Sequence, residues 1–496
     1  MQALSLKGQS RPFVLLGQNV WQWTVIATMI GAYAATVTPG HVFEQDDFAA
    51  YLMHAANLVE GRPYTAINYV PNPDALWIAP SHGYPPVYPL LLAPVYRFLG
   101  FNLRAMKLLT VLCFGGFLVA YVSFLKTMLP LWARIMAVLV VGGNIAFWEQ
   151  RDYLLSELPY LLFSFYALLV AQSVYQDLDP RRWRLRDAIL LSSLLYTTCG
   201  TRTIGVSLIP ALVLADVLKY KRPSRFLILV VSLTAGFVVL QSVILISPKG
   251  YIDAVHVSTA SVFEHAVYYA KVLSYAWQNG YSKGSQIAFA LLFTALAVAG
   301  FVRRIWSQRS VTEFYLLAYL AVIIAWSAEI GMRGLLPMLP LYFAYGLEEF
   351  LRVVSAFGRT RRLACATVLF AFIGASYIGS FGGYSRRKPS LDVRDPSAQE
   401  LFSFLRATTY PGDVLVFPKP RTLALFTDRP VASLAPTQTP EQSGRFLAAI
   451  HAKVLVQAET MAYPLRILAA EIQVNPVPVF RNASFQVFLV DTRPGQ

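Results

Sequence analysis

Two adjacent carboxylates, Asp46 and Asp47, open the stretch Asp46-Asp47-Phe48-Ala49-Ala50-Tyr51 directly after the first long apolar run of the chain. A charge at membrane depth costs about 2.5–3.5 kcal/mol even on the lenient insertion scale, so its retention invites a functional reading. A carboxylate can take the proton of an attacking hydroxyl. The plainer alternative, compatible with the first, is an N-cap: Asp46 or Asp47 starting a helix that runs through Tyr51, His54 and Leu58. Other ionisable groups cluster in short polar breaks further on. One break holds Glu149, Arg151, Asp152, Ser156 and Glu157, and another holds Arg202 between Thr201 and Thr203. A third holds Asp253, His256, Glu264, His265, Tyr268, Tyr269 and Lys271, and a fourth Glu329 and Arg333. Asp47, Asp46, Asp152 and Glu157 are the acid–base candidates. Arg202, Arg333 and Arg151 are the anion-binding candidates, because a guanidinium stays charged and meets phosphate oxygens through a planar fork. Tyr84, Tyr88, His54, His265 and Lys271 are candidate substrate contacts.

Each group also has an ordinary explanation. Arg202 at a span end can be a snorkelling anchor. Arg151 and Asp152 can pair with each other, worth about 0–1 kcal/mol if exposed. His256 and His265 lack metal-ligand spacing and read as helix-face histidines. Pro85-Pro86 fixes an extended approach to the helix after it. What lifts the set above these explanations is that the topology puts all of it on one face of a membrane.

The topology follows from composition. Hydrophobic residues make up 56% of the 496 residues and charged ones 14%, against about 25% charged in soluble domains; mean hydropathy is +0.49. Apolar runs of the length needed to cross about 30 Å of hydrocarbon recur along most of the chain. The first of them is too long for a cleavable signal peptide. The formal charge of +15 falls mostly in short loops, as the positive-inside rule expects, which argues against a nucleic-acid partner. The cysteines Cys113, Cys199 and Cys365 are scattered in apolar runs and give no disulfide framework.

About eleven membrane helices are expected, near 13–37, 105–125, 134–149, 157–176, 187–200, 204–218, 225–246, 285–302, 312–329, 334–351 and 362–382. Basic residues such as Arg181, Arg182, Arg303, Arg304, Arg361 and Arg362 mark every second loop as cytoplasmic, with the N-terminus. Parity then puts 39–104, 149–156, 200–203, 247–284, 330–333 and the C-terminus outside. The outer loop 39–104 should carry juxtamembrane helices over Phe48–Glu60 and Leu90–Leu99, the latter too short to span. Residues 1–383 thus form a polytopic α-helical membrane domain, placed in the inner (plasma) membrane. Residues 384–496 change character. Strands are expected over Asp413–Phe417, Lys453–Gln457 and Phe485–Val490, and helices over Ser397–Thr408 and about Pro440–His451, a small extracytoplasmic α/β domain.

Four stretches resemble the GT-C membrane glycosyltransferases, in particular the bacterial branch of protein O-mannosyltransferases and aminoarabinose transferases. These are Asp46–Tyr51 with the following Ala55–Tyr64, Tyr84–Gly100, Arg151–Glu157 and Met332–Pro340. The resemblance implies a catalytic role for Asp47, four residues before Tyr51, and donor-phosphate contacts for Arg202 and Arg333. Tyr84-Pro85-Pro86 departs from the Lys-Pro-Pro of the aminoarabinose branch. The expected function is therefore inverting transfer of a sugar from a polyprenyl-phosphate donor, with undecaprenyl as the carrier, to an acceptor hydroxyl on a glycan, lipid or protein. No cofactor is assigned; a divalent metal ion stays open as one. The rival readings are a lipid or lipid-linked-sugar flippase, which would favour charges at span centres, and a non-catalytic protein that binds lipid-linked sugar.

Overall fold

The computed structural model describes residues 20–75, 83–176, 183–245, 259–326, 329–386, 390–435, 438–459 and 477–490. Most of them form a bundle of apolar helices. Among the described residues, six helices are long and apolar enough to cross a membrane: Leu103–Thr127, Glu157–Tyr175, Thr203–Tyr220, Arg225–Leu245, Lys283–Ser307 and Arg359–Ser385. The chain is a multi-pass membrane protein. The remaining expected spans are also helical but shorter or broken. Val20–Ala35, Leu185–Thr201 and Val311–Ala325 have 16, 17 and 15 described residues. The run expected as one span at 134–149 is bent by 53° between Leu131–Gly143 and Ile145–Asp152. Asn144 sits at the bend. Its Oδ1 accepts the Ala146 N–H, while its Nδ2 donates to the Ala276 carbonyl at 2.8 Å, so the break leaves its polar groups satisfied. The run expected at 334–351 starts as a short helix, Met332–Leu335, passes through a 3-10 turn at Leu336–Met338, and becomes regular over Leu339–Val354. Pro337 and Pro340 remove the amide hydrogens a continuous helix would need there.

The bundle core is rich in aromatic rings. Phe114, Phe117, Tyr121 and Phe165 stack between Leu103–Phe124 and Glu157–Gln176. A buried hydroxyl needs a partner in such surroundings. Tyr33 donates to the Gly142 carbonyl at 2.7 Å, Tyr121 to Pro340 at 2.8 Å and Tyr319 to Gly334 at 2.9 Å. Each bond ties one helix to another. A charged latch ties the helices Lys283–Ser307, Val311–Ala325 and Leu339–Val354 together. Buried Arg304 pairs with Glu313 and Glu348, Arg303 with Glu348 and Glu349, and Arg352 with Glu349.

The strands form one mixed six-stranded sheet, β1 (Tyr69–Val70), β2 (Val414–Val416), β3 (Val431–Ala432), β4 (Ala452–Ala458), β5 (Phe480–Arg481) and β6 (Phe485–Leu489), in the order β1-β3-β2-β4-β6-β5. The three expected strands are there as β2, β4 and β6, and the expected helices as Pro396–Thr408 and Pro440–Ala449. The sheet has a further source. β1 belongs to the stretch 39–104 and pairs in parallel with β3, Tyr69 opposite Val431. A lone antiparallel bridge, Val42 to Asp392, makes a second link between the same two regions. Phe43, Phe48, Leu52 and Tyr88 share one buried cluster with Leu401, Phe402, Leu415 and Phe485. The 39–104 stretch and the C-terminal α/β unit therefore have one core. The Val87–Leu99 helix joins it through Tyr88 and Leu92, while Phe98 and Leu99 at its other end are exposed.

Helices Lys283–Ser307 and Leu339–Val354 approach closely at Gly300, where a Cβ would lie 2.6 Å from the Tyr345 carbonyl oxygen; Gly236, in Arg225–Leu245, has nothing within 4 Å of that position. Gly300→Ala is expected to lower thermal stability by about 1–3 kcal/mol through overpacking. Gly236→Ala should leave it unchanged or raise it by up to about 1 kcal/mol, because the same helix-propensity gain meets no clash. Thermal melts of the two purified variants compare them directly.

Candidate active site

The first turn of the Asp47–Glu60 helix lies where three parts of the molecule meet. The helix is apolar on every buried position from Phe48 to Ala56 except His54, and it ends at Gly61, whose φ of 68° provides the left-handed cap. Its two leading carboxylates do different work. Asp46 does not cap its own helix. It caps Pro420–Thr427 of the α/β unit instead: Oδ1 accepts from the Thr422 amide and hydroxyl, both at 2.8 Å, and Oδ2 from the Arg421 amide at 3.3 Å. Burial pushes the Asp46 pKa up, against the pull of Arg421 and Thr422.

Asp47 faces the site. Its Oδ1 accepts from the Tyr84 hydroxyl at 2.6 Å and from Arg421 Nη1 at 3.3 Å. Its Oδ2 accepts from Arg333 Nη1 and Nη2, both at 3.1 Å. The side chain keeps 25% of its exposure. Burial alone would raise its pKa, but the Arg333 and Arg421 guanidiniums and the Tyr84 hydroxyl outweigh it and hold the carboxyl at about 2.

Arg333 is shared. Its Nε donates to Glu157 Oε1 at 2.7 Å, so one guanidinium bridges Asp47 and Glu157. Glu157 is wholly buried at the head of its helix, and Arg202 also contacts its Oε1. Glu157 Oε2 is buried and accepts no hydrogen bond among the described residues. Arg202 and Arg333 retain 16% and 30% exposure. Three carboxylates (Asp46, Asp47, Glu157) thus face three guanidiniums (Arg202, Arg333, Arg421).

Tyr84 is held from behind. The Tyr64 hydroxyl donates to its carbonyl at 2.6 Å, and its amide donates to His54 Nε2 at 3.2 Å. His54 Nδ1 faces the Tyr64 carbonyl at 2.7 Å, which assigns the proton to Nδ1 and leaves Nε2 as acceptor. His54 therefore supports the site rather than lining it. Tyr51, in the next helical turn, donates to Ser156 at 3.0 Å.

Several expected residues lie elsewhere. Asp152 accepts from the Thr38 amide at 2.8 Å and pairs with Lys107 and Arg151. Arg151 also stacks on Trp148. These two anchor the chain at Thr36 and Thr38 and share no partner with Asp47 among the contacts described. Tyr88 is buried against Thr110, His265 faces the Ile324 carbonyl, and Lys271 is exposed on the Thr259–Ser274 helix. Asp253 and His256 lie outside the described residues. Among the described residues no three His, Cys, Asp or Glu side chains converge as a metal site would need. Arg421 was not among the expected residues. Its signal is faint: one arginine after Pro418-Lys419-Pro420, in a helix of eight residues.

No family model matches the sequence, and no curated protein does. The fold does match solved structures. The aminoarabinose transferase ArnT of Cupriavidus metallidurans bound to undecaprenyl phosphate aligns at a TM-score of 0.57 and 11% identity, over 96% of this chain and 99% of that one. The oligosaccharyltransferase AglB of Archaeoglobus fulgidus, in complex with an inhibitory peptide and a dolichol-phosphate, aligns at 0.54 and 12%, over 88% of this chain and 69% of that one. The chain shares its fold with these two solved structures, the fold that the sequence resemblance implies.

His54 offers a test of the support behind Tyr84. Burial, with a smaller push from Arg421, lowers its pKa from 6.5 to about 4 in the folded protein. The unfolded chain then binds the extra proton first, so stability is complete above about pH 6.5 and falls as the pH drops toward 4. His41 behaves alike, its pKa lowered to about 3 by burial and Lys107, with Nε2 accepting the Leu154 amide. Melting temperatures of wild type and His54→Gln from pH 7.5 to 4 should show a shallower decline in the variant.

Proposed function

We propose that the protein transfers a sugar from a polyprenyl-phosphate donor to an acceptor hydroxyl, with inversion, at the mouth of the bundle where Asp47 lies. The observation that carries this reading is the pair Arg202 and Arg333 converging on Glu157, with Arg333 also holding a partly exposed Asp47. The fold shared with enzymes whose structures hold undecaprenyl phosphate and dolichol-phosphate supports the lipid-linked donor.

The acceptor oxygen attacks the anomeric carbon as the bond from that carbon to the phosphate oxygen breaks. The electron pair leaves with the phosphate, and Arg202 and Arg333 meet the charge that develops there. The acceptor proton passes to Asp47 Oδ2, on the Arg333 side of the carboxylate. In the resting site Asp47 is a weak base, because two guanidiniums stabilise its charge. Arg333 changes that when it turns to the donor phosphate: Asp47 then loses a counter-charge and gains proton affinity. Glu157 holds both arginines in place. Membership of the inner membrane, with this mouth and the α/β unit outside, belongs to the same reading; it puts donor and acceptor on the non-cytoplasmic side.

Asp47→Asn keeps the shape and removes the base. With purified protein and a radiolabelled polyprenyl-phosphate sugar, transfer should fall by about 10²- to 10⁴-fold, while the amount and monodispersity of the protein stay the same. Wild-type turnover in this variant would reject the assignment.

A further inference from the structure

Arg421 is placed unlike the other two arginines of the site. It comes from the α/β unit, at the start of Pro420–Thr427, and its side chain is only 2% exposed. Its guanidinium lies over two rings, 5.1 Å from the centre of Tyr69 and 5.2 Å from that of Tyr84. Tyr69 belongs to β1, so the ring on one side is fixed by sheet pairing. Tyr84 is pinned at its amide and carbonyl by His54 and Tyr64. The Arg421 backbone is tied at its amide to Asp46. A planar cation stacked in this way is well fixed, and desolvation strengthens the contact. Arg202 and Arg333, by contrast, keep part of their surface open.

We propose that Arg421 is a positioning residue: it fixes Asp47 Oδ1 together with Tyr84 and keeps Asp47 ionised, so that the α/β unit completes the active site. This deepens, and rests on, the transferase reading above. The division of labour follows from the geometry. Oδ1 meets two well-held donors, Tyr84 at 2.6 Å and Arg421 at 3.3 Å, while among the described residues Oδ2 meets the shared Arg333. When Arg333 engages a phosphate, Arg421 is the counter-charge that remains. It holds the carboxylate oriented and charged until the acceptor hydroxyl arrives. The charged and titratable groups around Asp47 are Arg333, Arg421, Tyr84, Tyr51, Asp46 and, through Arg333, Glu157. Of these, Arg421 alone comes from the C-terminal unit.

The test reads the charge on Asp47 directly, in the full-length protein and without relying on turnover. A carbodiimide with an amine nucleophile modifies protonated carboxyls, and peptide mass spectrometry reports the rate of labelling at Asp47 at pH 6.5, where the fold is intact. Arg421→Met keeps the length of the stem and removes the charge; Arg421→Lys keeps a charge. Labelling of Asp47 should be about tenfold or more faster in Arg421→Met, within the range one lost guanidinium produces, and return toward the wild-type rate in Arg421→Lys. An unchanged rate in Arg421→Met overturns the proposal. If Arg421→Met is not monodisperse, Tyr69→Leu, which frees one side of the guanidinium, should speed labelling in the same direction, and no rise there overturns it equally. In the transfer assay, Arg421→Met should lose about tenfold or more in kcat with the donor KM within about twofold, because Arg202 and Arg333 handle the phosphate. Faster labelling without any wild-type transfer would leave Arg421 as the keeper of the Asp47 charge and reject the transferase reading alone.

Discussion

Asp47 can remain ionised in this setting because a guanidinium stands at each of its oxygens. Arg333 comes from the helical bundle and Arg421 from the α/β unit. Each arginine in turn is shared between two acids, Arg333 by Asp47 and Glu157 and Arg421 by Asp46 and Asp47. The acid at the centre and the two units around it are thus mutually dependent. Tyr84, brought by the stretch between them, finishes the enclosure. Much of the remaining architecture serves to hold these four groups still, including the buried histidine behind Tyr84 and the buried glutamate behind Arg333.

Much of this was legible in the residues themselves. Asp47, Glu157, Arg202 and Arg333 sit at ends of apolar runs, where a charge is expensive, and their shared location follows once the runs are laid side by side. Asp46 or Asp47 reads as the cap of the helix they open, yet Asp46 makes no side-chain cap bond there and caps a helix more than 370 residues away instead; only the fold shows which amides it meets. Asp152 and Arg151 satisfy the plainer reading, a pair with each other and a nearby loop. Arg421 was hidden for a physical reason. It lies in eight helical residues after a Pro-Lys-Pro run, too short for a periodic pattern, and its importance comes from two rings far away in sequence. β1 and β3 are two residues each, too short to show alternation. The bend at Asn144 and the break before Leu339 were missed because hydropathy reports that a segment is apolar and says nothing of whether it is straight.

Polar groups inside the bundle tie neighbouring helices together at several points. Tyrosine hydroxyls bond carbonyls of neighbouring helices, and the Arg303–Arg304–Arg352 latch is matched by Glu313, Glu348 and Glu349. These contacts hold helix positions without placing a lone charge in an apolar layer. The site differs in keeping two arginines and one aspartate partly open.

The parallel pairing of β1 with β3 gives the molecule a very non-local topology. Asn68, beside β1, bonds Asp428, 360 residues further along. Contacts of such separation form late, since the loop between them must first be closed. During synthesis the edge of β1 and the apolar face of the Asp47–Glu60 helix must wait for the residues around Leu401–Ala432. A nascent chain that stops short of them would carry that unpaired edge and sticky face in the open, where aggregation starts, and would lack Arg421 beside Asp47. Closing the sheet edge and enclosing Asp47 are one event.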